Sequence, residues 1–81
     1  MTGVWAAYRN VYDNIQATGD GAKRSKQLFD IGAAIADKDF SLASTLTREL
    51  REQTSIANQP SLGWAPSMAA DELLYQLSEL T

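Results

Sequence analysis

Apolar residues recur every three or four positions along most of this chain, the period of an α-helix, and nowhere alternate for long enough to make a strand. That pattern favours an all-α fold. The first segment places Trp5, Tyr8, Tyr12 and Ile15 on one stripe, widened by Val4 and Val11, and predicts a helix over 4–18. Thr2 is placed to cap its start and Gly19 to take the left-handed conformation that closes its end. A second helix over 22–37, capped by Asp20, carries Leu28, Ile31 and Ile35 on one face with Phe29, Ala33 and Ala36 beside it. Gly32 lies inside that helix at a cost of about 1 kcal/mol relative to alanine, so a second backbone or an aromatic ring is expected close to it.

Lys38 suits the negative end of the second helix, and Asp39 is placed to cap a third, over 40–57, through Leu42, Ala43, Leu46, Leu50 and Ala57. The opposite face, Arg48, Glu49, Arg51 and Glu52, reads as solvated, with Arg48 and Glu52 spaced for a surface ion pair. Residues 58–67 run Asn-Gln-Pro-Ser-Leu-Gly-Trp-Ala-Pro-Ser, in which two prolines and a glycine interrupt the helical pattern and make a loop. Ser67 then caps a fourth helix over 67–80, with Asp71 and Glu72 near its positive end and Met68, Leu73, Leu74, Leu77 and Leu80 as its apolar face. The expected architecture is a small bundle of about four short helices, a single domain spanning 1–81.

A chain of 81 residues has room for one core. Its 44% apolar and 21% charged residues are those of a sequence that folds. With no cysteine, neither a disulfide nor a thiolate metal site can hold it, so packing must. No apolar run approaches the roughly 20 residues that cross a bilayer, and no basic-then-apolar leader opens the chain, so a cytoplasmic protein without a membrane partner is expected.

The same composition narrows the chemistry. Histidine is absent as well, which removes the commonest general base, the thiolate nucleophile and the usual zinc ligands together. Paired carboxylates need a desolvated cleft that four short helices seldom enclose, so no catalytic residues, no metal and no cofactor are expected. Asp37, Asp39 and Ser41 begin like a calcium-binding loop, but Leu42 stands where the sharp turn needs glycine and Arg48 where a bidentate glutamate belongs. Helix capping explains these aspartates better. The run Gly19-Asp20-Gly21-Ala22-Lys23-Arg24-Ser25 sets glycines and bases before a helix, where backbone amides can hold a phosphate, yet it lacks the order of a Walker loop and Asp20 repels an anion.

Net charge is −3 and unevenly spread. Residues 1–38 hold five bases against four acids, a net +1, whereas residues 39–81 hold Arg48 and Arg51 against six acids, a net −4. An acidic chain is a poor ligand for nucleic acid, so that partner is not expected. Were any surface to meet nucleic acid or an acidic protein, it would be Lys23, Arg24 and Lys26.

The small-residue second helix, the tight Lys38-Asp39 turn, aromatic Phe40 and then Ala43 resemble one unit of a tetratricopeptide-type helical hairpin over about 30 of the 81 residues. A single hairpin has no neighbouring repeats to share a core with, so the resemblance describes packing.

By elimination the chain acts by contact, as a non-catalytic helical module for protein–protein interaction. The faces Trp5/Tyr8/Tyr12/Ile15 and Leu73/Leu74/Leu77/Leu80 together exceed what one small core hides, which predicts a protein partner or a homodimer. Trp5, Tyr8 and Tyr12 are candidate contact residues, although an aromatic stripe at this spacing is more often core, here joining the first helix to the others. Trp64, beside Leu62 in the proline-bounded loop, either folds back over the bundle as a lid or stands out as an aromatic anchor. A small acidic chain of this kind suits a regulator or inhibitor that docks on a larger protein, including those encoded by phages or mobile elements. A nucleic-acid-binding accessory protein using 23–26 and a structural subunit of a larger assembly are the alternatives.

Overall fold

The computed structural model describes residues 3–59 and 63–81. These form four helices, α1 (Val4–Ala17), α2 (Ser25–Ala36), α3 (Phe40–Gln53) and α4 (Ala65–Ser78), with no strand among the described residues. The fold is the expected all-α bundle. Helices of 14 residues rise about 21 Å, close to the two shorter dimensions of the molecule at 23 and 21 Å. Within the bundle α1 packs along α4, α4 along α3 and α3 along α2, whereas α1 and α2 barely meet. The ring of helices is therefore open on one side.

One apolar cluster joins all four helices through Val11 and Ile15 of α1, Leu28, Ile31 and Ile35 of α2, Ala43 and Leu50 of α3, and Leu73 and Leu77 of α4. Several expected core residues lie elsewhere. Trp5 and Tyr12 are exposed and Tyr8 is half-buried, because the inward stripe of α1 runs through Ala7, Val11 and Ile15. Phe29, Leu42, Met68 and Leu80 also face outward. The inward face of α3 is instead partly polar: Ser44, Thr47 and Thr54 are buried. The Thr47 hydroxyl donates to the Ala43 carbonyl at 2.7 Å and that of Thr54 to Leu50 at 2.8 Å, so neither is left unpaired.

The helix ends show local chemistry at work. Asp39 caps α3 as expected, its carboxylate accepting from the Leu42 amide at 3.2 Å. Gly19, at φ 85°, follows α1 in the left-handed conformation. The equivalent residue after α2 is Lys38, at φ 61°, and the Asp39 amide reaches back to the Ala34 carbonyl at 2.9 Å to seal that end. Thr2, expected as the α1 cap, lies outside the described residues, and Gly3 occupies the cap position.

Four boundaries differ from expectation by two residues or more, among them the end of α4, at Ser78 instead of residue 80. Residues 21–24 form a turn, so α2 starts at Ser25; Arg24 takes the cap position and the Asp20 side chain makes no cap bond. At the far end of α3 the Asn58 side-chain amide donates to the Glu52 carbonyl at 2.7 Å, satisfying a carbonyl that a further helical turn would otherwise have used; the helix ends at Gln53 and Ala57 lies in a turn. α4 starts before Ser67, at Ala65, because Pro66 is tolerated in a first turn where its missing amide hydrogen has no helical partner. Ser67 is consequently buried inside the helix, donating to the Trp64 carbonyl at 3.1 Å. Arg48 and Glu52 do not pair; Arg51 reaches across to Asp71 of α4 instead.

Candidate functional site

No helix among the described residues is long and apolar enough to cross a membrane, and no group of three or more histidine, cysteine, aspartate or glutamate side chains among them is placed to hold a metal ion. The chemistry on offer is that of surfaces. Two of these stand out: the open seam between α1 and α2, and the outer face of α4.

The seam holds a groove of about 470 Å³ lined by Tyr8, Tyr12, Gln16, Ser25, Lys26, Leu28 and Phe29. Its closed end is set by Tyr8. The phenol donates to the Leu28 carbonyl at 2.7 Å and lies over Gly32, where an added Cβ would come within 2.9 Å of the hydroxyl oxygen. This is the close aromatic approach that Gly32 implied. Burial, with Tyr12 nearby, pushes the Tyr8 hydroxyl pKa above its ordinary value, so it stays a hydrogen-bond donor well into alkaline solution. Trp5 meets the Tyr8 ring edge to face, centroids 5.8 Å apart. On the opposite wall Phe29 is 72% exposed. Lys26 is the one charged group in the lining, and it pairs with Asp30 at 3.0 Å.

On α4, Trp64, Met68 and Tyr75 fall on one stripe, since their spacing brings each within about 40° of the others around a helix of 3.6 residues per turn. Leu73 and Leu77 occupy the opposite, inward side. Trp64, at the cap position, is 63% exposed and Met68 and Tyr75 are 65% and 57% exposed. The indole is therefore displayed, and the lid expected as one alternative is not formed. Asp71 borders the stripe, paired with Arg51 of α3, and Glu72 lies to its other side; α4 with its cap residue Glu79 carries three acids and no base of its own.

The candidate contact residues thus divide between two surfaces. Tyr8 and Tyr12 line the groove with Trp5 against Tyr8, while Trp64 belongs to the α4 stripe; Leu62 lies outside the described residues. Phe29, Met68 and Tyr75 join them. Helical spacing from Trp64 would have found Met68 and Tyr75 had the start of α4 been placed two residues earlier.

The basic cluster does not form one exposed patch. Lys23 is exposed and Lys26 is paired, but Arg24 is only 5% exposed, bonded to Gln27 at 3.1 Å and to Gln53 of α3 at 2.8 Å, with its Nε buried and unpartnered. A second groove, between α2 and α3, is lined by Asp30, Asp37 and Asp39 with Ala33, Ala34, Leu42 and Leu46. Asp30 and Asp39 are already engaged, with Lys26 and the Leu42 amide. Comparison with known proteins finds no family model, no curated relative and no solved structure that matches this chain.

Proposed function

We propose that the chain is a non-catalytic interaction module, a small regulator that docks on a protein partner through the outer face of α4. One observation carries this reading: Trp64, Met68 and Tyr75 are displayed in line on a helix whose inward face is already satisfied by the core. Large apolar side chains grouped on a rigid element, bordered by charge, are the composition of an interface centre. The stripe is rigid because α4 is held on both flanks, by α1 and α3. Asp71 is taken by Arg51 of α3, and Glu72 and Glu79 favour a partner surface that is apolar at its centre and neutral to basic at its rim.

Of the alternatives, a nucleic-acid accessory protein using 23–26 is weakened by the burial of Arg24. The test is retention of a partner from extracts of the expressing cells by the immobilised chain and by its Trp64→Ala variant, with circular dichroism on both. The expected result is a partner lost by the variant at unchanged helicity. A partner held equally by both would remove Trp64 from the interface and the reading with it.

A further inference from the structure

The α1–α2 groove and the α4 stripe complement each other, and we propose that they meet between copies: the stripe of one molecule seats in the groove of the next. The inference rests on the reading of α4 as a docking face and names one occupant for it, a second copy of this chain.

Shape supplies the first argument. α1 and α2 meet chiefly through Tyr8 where every other neighbouring pair of helices packs along its length, and the opening is walled by Tyr8, Tyr12 and Phe29 over Leu28. A groove of about 470 Å³ falls in the size range that receives a drug-sized group, room enough for an indole and part of a second side chain. α4 presents an indole with a thioether one turn further on.

Charge supplies the second. The stripe carries Glu72 and Glu79 outside any ion pair among the described residues, with Asp71 held by Arg51, whereas the groove's one charged group, Lys26, is paired with Asp30 and sets no like charge against them. The chain is polarised in the same sense, a net +1 over residues 1–38, which form α1 and α2, against −4 over residues 39–81, which form α3 and α4. Stacking in the same direction sets the acidic side of one copy against the other side of the next. A symmetric contact through the two α4 faces would instead oppose like charges.

Two different patches in contact make the interface head-to-tail. Such an interface does not stop at two unless it closes into a ring, whereas a symmetric contact gives a closed dimer.

The test uses two variants whose changes fall on exposed side chains, so that folding is preserved and can be verified by circular dichroism. Trp64→Ser/Met68→Ser/Tyr75→Ser destroys the stripe and keeps the groove. Phe29→Glu places an acid in the groove and keeps the stripe. Mass is measured by light scattering over a concentration series. The wild type is expected to grow past the dimer, and each variant alone to stay at 8.9 kDa, its contact weakened by about thirtyfold or more. An equimolar mixture should give a dimer of one copy of each, since only the mixture contains one intact groove and one intact stripe free to meet.

A wild type that remains monomeric, or that stops at a dimer which mixing does not restore, overturns the proposal. Failure here is separable from failure of the docking reading. If the wild type is monomeric yet loses a captured partner on Trp64→Ala, self-recognition falls and the docking face stands; if capture survives that change, both fall.

Discussion

At the scale of single residues, the pairing of Tyr8 with Gly32 determines the shape of the open seam. Gly32 was legible as a site of close approach because a glycine inside a helix needs a reason, but nothing in the spacing identifies Tyr8 as the ring that comes there. Lys38 was legible only in part: its charge fits the end of α2, while its left-handed backbone depends on how α3 returns over α2. The pairing has a measurable consequence. Gly32→Ala gains helix propensity worth about 0.5–1 kcal/mol but drives the new methyl into the Tyr8 phenol, threatening its bond to Leu28, itself worth about 0.5–1.5 kcal/mol. In the wild-type background the two effects offset and stability changes little. In a Tyr8→Ala background the obstacle is gone, and the same substitution should stabilise by roughly 0.5–1 kcal/mol. Urea unfolding of the four proteins of this double-mutant cycle measures the difference. Equal effects in both backgrounds would mean that Tyr8 does not constrain Gly32.

At the scale of elements, the number and order of the helices followed from apolar periodicity, and their ends did not. α2 begins late because the chain turns through Gly19 and Gly21 before Arg24 swings back to the end of α3; α3 ends early where the Asn58 side chain takes the Glu52 carbonyl. Such contacts join residues far apart or choose among equally polar candidates, and a hydrophobic period does not encode them. The inward face of α3 was misread for a related reason. Ser44, Thr47 and Thr54 can be buried because two of them bond back to their own helix, which a pattern of apolar residues alone does not reveal. The joint between α2 and α3 is where a substitution tests this scale. Arg24 is buried between them with two glutamine oxygens as partners, no carboxylate, and an unsatisfied Nε. Arg24→Met keeps the length of the apolar stem, removes the charge, and leaves intact the bond from the Gln27 amide to Gln53 at 2.8 Å. Since an unpartnered buried polar group costs about 1–3 kcal/mol, the variant should be as stable as the wild type or more stable by about 1 kcal/mol. Loss of 2 kcal/mol or more in urea unfolding would mean that the guanidinium finds a stronger partner than the glutamines.

At the scale of the whole molecule, the chain hides one core and, apart from Phe40, which packs against it, leaves its aromatic residues on two sides, and this division explains how much of the site could be read. An excess of apolar surface was apparent from composition and spacing. Its location was legible only in part, because of the two faces that looked surplus Trp5, Tyr12 and Leu80 are exposed while Ile15, Leu73 and Leu77 serve the core, and Phe29, Met68 and Tyr75 join the outside. The two indoles report the two surfaces separately, Trp5 beside the groove and Trp64 on the stripe. Trp5→Phe leaves Trp64 as the sole tryptophan while retaining an aromatic edge near Tyr8. In a dilute solution of this variant Trp64 should emit as a solvated indole and be quenched readily by acrylamide, since most of its surface meets water. As concentration rises and mass grows, emission should move to the blue and quenching should fall in step, because seating in a neighbour's groove removes the ring from water. Growth in mass with the emission unchanged would place the contact between copies somewhere other than α4 and leave the stripe open for a different partner.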